Sequence, residues 1–301
     1  MENKELSGLV IVNKEEGITS QGVVNRVKRI FGVAKAGHTG TLDPMATGVL
    51  PVLIGRGVKA SEFMLTSEKH YGATLLLGLT TDTEDVTGEV LTECEVRLTE
   101  DEVMNAISAF VGEIMQTPPM YSALKVGGKK LCDLARRGEV IEREARPVRI
   151  YSIKAERINE REYYLDVVCS KGTYIRTLCA DIGASLGVGG VMKTLKRLSA
   201  SGYTIDEART LRELEEMKDD EREGVIYPIE DVFKKYETVV LPDFFARLAR
   251  SGLEIYLHKI NKTYTLGTVL RIADSSGFFA VGEVREFDDG LAIKPIRQFG
   301  N

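Results

Sequence analysis

The sequence predicts an α+β fold, in which a mixed α/β domain is followed by a small domain of strands, on three observations. In the first part of the chain, short aliphatic runs alternate with longer segments in which apolar residues recur at helical spacing. The composition then changes around residues 234–241. Beyond that point, turn residues at 273–277 and 288–290 separate short apolar runs, which is typical of a small β-barrel or sandwich. We therefore divide the chain into domains of residues 1–237 and 238–301.

The individual elements follow from these patterns in chain order. The run at 9–12 predicts a buried strand, and Ser20 is the expected N-cap of a helix that ends at Gly32. Thr99, with Glu102 three residues later, is expected to begin another helix with a capping box. The remaining predicted elements are strands at 49–54, 71–79, 149–157 and 163–169, a helix at 175–186, a short helix at 244–250, and strands at 253–258, 264–272, 278–285 and 291–296.

Composition indicates an ordinary globular protein. Of 301 residues, 43% are apolar and 28% are charged, and no apolar run approaches the roughly 18 residues of a membrane span, so we expect a cytoplasmic protein that binds no membrane. The four cysteines form no C-x-x-C pair and there are only three histidines, so no metal site is expected. The net charge is −5, yet residues 121–150 hold eight basic side chains against four acidic ones. Such a local basic surface can attract a polyanion.

The loop at 36–50 holds three glycines, His38 and Asp43 without helix or strand periodicity. Glycine allows unusual backbone angles and the close approach of a ligand, while Pro44 keeps Asp43 out of the helical region. Two interpretations of Asp43 stay open at this point. It caps a short helix with Pro44 in the first position, or it is a presented, reactive carboxylate.

Three other segments resemble ligand-binding motifs but lack an essential part. Residues 55–60 match the dinucleotide pattern G-x-G-x-x-A, yet only about two helical turns fit before the next strand. The acidic segment at 82–93 fails as a calcium loop at Val86 and Thr87, so a solvated acidic turn is expected. Residues 187–194 nearly spell a phosphate-binding loop, but Met192 stands where glycine is required.

Two features favour an anionic partner. The segment at 118–130 is rich in glycine and lysine and is expected to be a mobile insertion that faces an anion. Arg176 falls in the first turn of the predicted helix at 175–186, where a cation interacts unfavourably with the helix dipole. This cost suggests that Arg176 pairs with an anion elsewhere, although an ordinary surface arginine is the alternative.

Several motifs, taken together, closely resemble one family, the bacterial TruB-type tRNA pseudouridine synthases. The resemblance covers roughly the first 230 residues. The matching motifs are GHTGTLDPMATGVL at 37–50, KHY at 69–71, MYSALK at 120–125 and SKGTYIRT at 170–177, with a further segment at 78–85. One departure is Glu15, which follows Lys14 where the family has proline, and it puts the rigidity of that turn in doubt.

The resemblance implies a fold and an activity. It implies a catalytic domain with a central mixed, largely antiparallel sheet flanked by helices, with an RNA-contacting insertion at about 121–147, followed by a small PUA-like β-barrel domain. The implied reaction isomerises the T-loop uridine at tRNA position 55 to pseudouridine after base flipping. This chemistry needs no cofactor. The expected partner is the tRNA T-arm, without a guide RNA or an obligate protein partner, and the chain is expected to act as a monomer.

The resemblance also implies roles for individual residues. Asp43 is the expected nucleophile and Arg176 its partner, and Tyr71 is expected to stack on the target base and to accept a ribose proton. The expected substrate-binding residues are His38, which fills the space left by the flipped base, Lys125, Lys129 and Lys130, which contact phosphates, and Tyr121 and Lys14, which are further pocket candidates.

Two rival functions stay open at this stage. The chain could be a non-catalytic module that binds and folds tRNA. It could also be a nucleotide-dependent oxidoreductase that uses the loop at 55–60.

Overall fold

The computed structural model describes residues 6–64, 68–122, 124–135, 137–139 and 141–300, and it has the predicted mixed α/β class. The strands are β1 (Gly8–Lys14), β2 (Ala36–His38), β3 (Thr47–Ile54), β4 (Lys69–Leu77), β5 (Leu79–Thr81), β6 (Val90–Glu93), β7 (Gly112–Gln116), β8 (Lys125–Val126), β9 (Lys129–Lys130), β10 (Arg146–Arg157), β11 (Glu162–Cys169), β12 (Gly190–Ala200), β13 (Tyr203–Thr204), β14 (Thr238–Val240), β15 (Ile255–Tyr256), β16 (Val269–Asp274), β17 (Gly277–Phe287) and β18 (Gly290–Gln298). The helices are α1 (Ser20–Ile30), α2 (Ser61–Met64), α3 (Glu100–Ser108), α4 (Leu131–Ala135), α5 (Ile175–Ser185), α6 (Leu211–Glu216), α7 (Asp219–Gly224) and α8 (Asp243–Arg250).

A large central sheet organises the first part of the chain. Its strands follow the order β1-β3-β12-β4-β11-β10-β7, with β2 added to β3 and β13 added to β12. The pairing of β12 with β3 is parallel, and the other pairings in this sheet are antiparallel. The predicted mixed, largely antiparallel sheet is therefore confirmed.

One face of this sheet packs on α3 and α5. Leu75 of β4 and Leu165 of β11 are fully buried in a cluster with Ile107 of α3 and Leu178 of α5. Each such side chain contributes about 1.5–3 kcal/mol on burial. Alternate residues of β4 and β11 point to the other face, where His70 and Asp166 form a half-exposed pair.

The helix α1 covers the opposite end of the sheet and begins one residue earlier than expected. Thr19, not Ser20, is its N-cap, because the Thr19 hydroxyl accepts a hydrogen bond from the amide of Gly22. The prediction that Ser20 caps this helix is wrong, since the Ser20 hydroxyl is bonded to the loop before β3 instead. The second predicted cap is confirmed, because Thr99 and Glu102 form a capping box at the start of α3.

The smaller sheet lies in the C-terminal part of the chain and has the order β14-β16-β17-β18-β15. The predicted strand at 253–258 shrinks to β15 and a 3₁₀ turn, and β14 was not predicted. Phe233 connects the two parts of the fold, since its ring contacts Phe63 on one side and Phe278 on the other. The domain boundary after residue 237 stays a prediction. Among the described residues, no helix is long and apolar enough to cross a membrane.

Candidate active site

A cavity of about 260 Å³ opens where the loop between β2 and β3 meets the start of α5. Its wall brings together parts of the chain that are far apart in sequence. They are residues 39–43 and 171–176, Lys69 and Tyr71 of β4, Tyr121 and Ser122 ahead of β8, and Leu195 and Arg197 of β12.

Asp43 lies on this wall in a turn, not at a helix start. The amide of Ala46 donates to the carbonyl of Asp43 at 3.1 Å, and β3 begins one residue later, at Thr47. The interpretation of Asp43 as a helix cap is therefore wrong. The carboxylate caps no helix, and 33% of the Asp43 side chain is exposed.

Two polar side chains fasten the backbone on either side of Asp43. The Ser20 hydroxyl accepts from the amide of Leu42 at 2.8 Å and donates to its carbonyl at 2.9 Å. Lys14 is fully buried, and its ammonium donates to the carbonyls of Pro44 and Ala46. Burial lowers the pKa of Lys14 to about 8. Lys14 thus supports the loop from beneath and does not line the cavity in the described part of the structure.

Arg176 pairs with Asp43. Its Nε atom lies 3.0 Å from Oδ2 of Asp43, and the arginine side chain is only 6% exposed. Burial raises the pKa of Asp43 above its ordinary value, and the positive charge of Arg176 opposes that rise. The position of Arg176 in the first turn of α5 is therefore compensated by a carboxylate from another part of the chain, as its unfavourable position in the helix dipole suggested.

The acidic segment after β5 holds the other end of the Arg176 guanidinium. Arg176 donates to the carbonyls of Thr83 at 3.0 Å and Tyr121 at 2.7 Å, and Asp85 lies 3.8 Å away. Asp85 is 4% exposed and accepts hydrogen bonds from Thr83 and Thr87. The expectation of a solvated acidic turn is wrong at Asp85, which is buried near Arg176, while Asp82, Glu89 and Glu93 of the same segment are exposed as expected.

Tyr71 and Arg197 face each other across β4 and β12. They are direct partners in the antiparallel register, and both side chains line the cavity. Arg197 is 1% exposed and donates to the carbonyls of Val49 at 2.7 Å and Gly40 at 3.1 Å. Sequence reasoning did not find Arg197, since it belongs to no recognised motif and its strand was not predicted.

The close approach of the Arg197 backbone in β12 to β3 requires glycine at position 48. Its φ angle is +101°, and a Cβ atom there would lie 2.2 Å from the Arg197 carbonyl oxygen. Only glycine therefore allows β3 and β12 to approach in parallel at this point. The other two glycines of the loop, Gly37 and Gly40, have ordinary space for a Cβ atom.

The remaining predicted site residues lie at different distances from the cavity. Tyr121 contributes to the wall, and its carbonyl holds Arg176. His38 belongs to β2 and, within the described structure, lies one residue outside the wall. Lys129 is exposed in the hairpin of β8 and β9. The side chains of Lys125 and Lys130 lie outside the described part of the chain.

The wall also offers hydrogen-bonding groups that the protein leaves unused. Among the described atoms, the buried hydroxyls of Thr39 and Ser122 have no hydrogen-bond partner. A buried polar group without a partner costs about 1–3 kcal/mol, so these hydroxyls favour a polar ligand. No group of three or more His, Cys, Asp or Glu side chains that could hold a metal ion occurs in the described ranges.

The segment that resembles a dinucleotide-binding loop has a structural use. Residues 55–60 form a 3₁₀ helix against β1, and a Cβ atom at Gly57 would lie 2.4 Å from the carbonyl of Gly8. A Cβ atom at Gly55 would lie 2.3 Å from the carbonyl of Leu6. These glycines serve chain packing, which removes the observation on which the oxidoreductase alternative depended.

Comparison with known proteins identifies the family of the chain. Residues 28–175 match the model of the TruB family pseudouridylate synthase N-terminal domain, and residues 176–234 match that of the tRNA pseudouridylate synthase B C-terminal domain. The chain is 40% identical to tRNA pseudouridine synthase B of Clostridium tetani, over 92% of this chain and 96% of that protein. It is 41% identical to the protein of the same name from Alkaliphilus oremlandii, over 94% of this chain and 95% of that one.

A solved structure shares the fold. A chain in a crystal structure of a Cbf5-Nop10-Gar1 complex matches this chain with a TM-score of 0.72 and 25% identity. The match covers 97% of this chain and 84% of that one. Taken with the relatives of about 40% identity over nearly the whole length, this shows that the chain belongs to the TruB family of pseudouridylate synthases, a family of isomerases.

Proposed function

We propose that the protein converts the T-loop uridine at position 55 of tRNA to pseudouridine, with Asp43 as the nucleophile. The observation that carries the proposal is the Asp43 carboxylate, half-exposed on the wall of a cavity and paired with Arg176 at 3.0 Å. The names of the relatives, tRNA pseudouridine synthase B, support tRNA as the substrate.

The reaction sets two requirements that the described residues of the site can meet, an ionised nucleophile and a place for the flipped base. The bond between N1 of the base and C1′ of the ribose breaks, the base turns, a bond forms between C5 and C1′, and a proton leaves C5. A nucleophile attacks only when ionised, and Arg176 favours the ionised form of Asp43. The base must leave the stack to reach Asp43, and the cavity gives it a place to bind.

Charge around the cavity suits an RNA substrate. Its wall carries one carboxylate, Asp43, and the cationic side chains of Lys69, Lys171, Arg176 and Arg197. We assign Lys129 to backbone phosphates on the grounds that it is exposed and belongs to the basic insertion. Phosphate contacts fix the register of the RNA, while the cavity selects the base.

The unused hydroxyls of Thr39 and Ser122 support recognition of a polar base. A uracil ring carries two carbonyl oxygens and one N–H group, each able to bond such a hydroxyl. A site that satisfies buried polar groups with its ligand discriminates strongly against a ligand that lacks them. We propose that His38, just outside this wall, fills the gap left in the T-loop by the flipped base.

The test uses a tRNA transcript and maps pseudouridine at every uridine by chemical labelling and primer extension. We expect conversion at position 55 alone, and none in a matched transcript with cytidine at that position. Conversion at another position would contradict the assigned site. Binding of the transcript without any conversion would favour a non-catalytic tRNA-folding module. Action without a guide RNA or protein partner, as a cytoplasmic monomer, stays a prediction.

A further inference from the structure

We propose that Glu84 is a positioning residue for the reaction, which accepts a hydrogen bond from the Thr177 hydroxyl and so holds the turn at 81–85 against Arg176. The inference rests on the proposed function and adds to it a residue with no assigned role. It begins from a bond between distant parts of the chain, in which Oγ1 of Thr177 lies 2.6 Å from Oε2 of Glu84. Thr177 is 4% exposed, so water does not compete freely for this bond.

This bond lies directly beside a contact that holds Arg176. Glu84 follows Thr83 in the turn, and Thr177 follows Arg176 in the first turn of α5. Nη1 of Arg176 donates to the carbonyl of Thr83 at 3.0 Å, so two adjacent pairs of residues join the same two segments. Asp85, the next residue of the turn, lies 3.8 Å from Arg176. The turn therefore meets the start of α5 with consecutive residues, and the Glu84 side chain supplies one of these contacts.

The backbone of Glu84 has an unusual conformation. Its φ angle is +62°, in the left-handed region that favours glycine. A conformation of this kind persists only where surrounding contacts impose it, and it is common at functional sites. At Glu84 these contacts include the bond with Thr177 and a backbone bond from Met192 of β12, whose amide donates to the Glu84 carbonyl at 3.0 Å. Because glycine would adopt this angle without strain, a glutamate here indicates that its side chain has a use.

The effect of Glu84 reaches Asp43 through the Arg176 guanidinium. Both Nη atoms of Arg176 are bonded to carbonyls, those of Thr83 and Tyr121, and this leaves Nε for the Asp43 carboxylate at 3.0 Å. Without the side-chain bond of Glu84, the Thr83 carbonyl can move away and the guanidinium can turn. A bond that merely fastened the turn to α5 would stabilise the fold but leave the contact between Arg176 and Asp43 unchanged. The two roles differ in the pKa of Asp43, because the charge of Arg176 opposes the effect of burial on that carboxyl.

A double-mutant cycle tests the bond. Single-turnover rates as a function of pH and tRNA dissociation constants are measured for the wild type, Glu84→Ala, Thr177→Val and the double variant. We expect each single substitution to lower the rate about 10- to 100-fold, the scale of a reacting group misplaced by about 1 Å, and to change the dissociation constant less than about threefold. The double variant should be no more than about threefold slower than the slower single variant, because both substitutions remove the same bond. Losses that multiply in full would overturn the proposal.

The pH dependence of the rate separates a positioning role from a structural one. With Arg176 displaced from Asp43, the acid midpoint of the rate should move upward by about half a pH unit or more in both single variants. The other charged groups that act on Asp43 are Asp85 and Lys14, and their side chains are unchanged in these variants. A midpoint that stays at the wild-type value would mean that the bond only stabilises the fold, and the proposal would fail.

Two further substitutions at the same position separate the bond from the backbone strain. Glu84→Gly removes both the carboxylate and the strain, so it should melt at a higher temperature than Glu84→Ala and yet be equally slow. Glu84→Gln keeps an oxygen that can accept from Thr177, so its rate should stay within about threefold of the wild type. A loss in Glu84→Gln as large as that in Glu84→Ala, or rates that rise with melting temperature, would contradict the role of the bond.

Glu102→Ala is the matched control. Glu102 also accepts from a threonine hydroxyl, with Oγ1 of Thr99 at 2.7 Å from its Oε2, but it lies on α3 outside the described wall of the cavity. This variant loses part of a helix cap, so it should melt at a lower temperature and keep the wild-type rate and acid midpoint. A wild type that forms no pseudouridine would defeat the proposed function. An active wild type with multiplying losses or an unmoved midpoint would defeat only the role of Glu84.

Discussion

The Nε atom of Arg176 lies 3.0 Å from Oδ2 of Asp43, while the two Nη atoms of the same guanidinium are bonded to the carbonyls of Thr83 and Tyr121. Arg176 is thus held on one side by the backbone and presents its remaining edge to the carboxylate. The charge of Arg176 favours the ionised form of Asp43 against the effect of burial, and the ion pair limits the directions in which the carboxylate can point.

Replacing Arg176 by lysine should reduce the rate much more than the affinity for tRNA. Lysine keeps the charge but lacks the planar group that reaches Asp43 and two carbonyls at once. We expect the single-turnover rate of Arg176→Lys to fall about 100-fold or more, the size of a lost electrostatic interaction in a transition state. The tRNA dissociation constant, from filter binding, should change less than about threefold. Equal losses in rate and affinity would place Arg176 on the RNA backbone instead.

The reaction rate should fall at acid pH, with a midpoint above the ordinary pKa of an aspartate. Burial raises the pKa of Asp43 above 3.8, and only the ionised form attacks. As pH falls through that raised pKa, the carboxylate is protonated and the single-turnover rate declines. Arg176→Gln should move the midpoint further upward, because it removes the charge that opposes the rise. A midpoint below 3.8 in the wild type would contradict the account.

Gly48→Ala should destabilise the protein more than Gly17→Ala. Both glycines have positive φ, +101° and +85°, but only Gly48 has the Arg197 backbone within 2.2 Å of a Cβ atom. The φ strain alone costs about 1–3 kcal/mol in either variant. Urea unfolding should give the larger loss for Gly48→Ala, since β3 and β12 must move apart. Equal losses would mean that the Arg197 backbone can move away from position 48 at no cost in stability.

Lys14 should make stability rise with pH in an alkaline window. Its pKa is lowered from 10.5 to about 8 by burial, so between these values the unfolded chain binds the proton that the folded chain releases. Stability therefore increases with pH by up to about 1.4 kcal/mol per pH unit from this group. Lys14→Met should remove that slope, and Lys35→Met, at an exposed lysine, should not. Urea midpoints between pH 8 and 10 test it, and a slope that survives in Lys14→Met would be the contrary result.

The sequence predicted much of the fold because most strands keep a clear pattern. The strand β12 lacks such a pattern, for a structural reason. Two register shifts, between Met192 and Thr194 and between Arg197 and Ser199, break the alternation of inward and outward side chains. Its glycine-rich start also resembles a phosphate-binding loop. With the strand unrecognised, Arg197 had no predicted position in the site.

The candidate site was predicted in part. Asp43, Tyr71, Arg176 and Tyr121 were singled out, and they line one cavity. Asp85 was expected in solvent because its neighbours are acidic and polar, but its burial depends on Arg176, which lies far along the chain. Serine and threonine can both cap a helix, so the sequence did not distinguish Ser20 from Thr19, which is the actual cap. Such choices between neighbouring residues are decided by tertiary contacts, which local patterns do not contain.

The most direct test of Asp43 as the nucleophile is tritium release from tRNA labelled at C5 of uridine. Forming the new bond at C5 expels that hydrogen into water, so the wild type should release one equivalent from position 55. Asp43→Asn, which keeps the size of the side chain and should still bind tRNA, should release none above background. Tritium release at the wild-type rate by Asp43→Asn, or none by the wild type, would contradict the account.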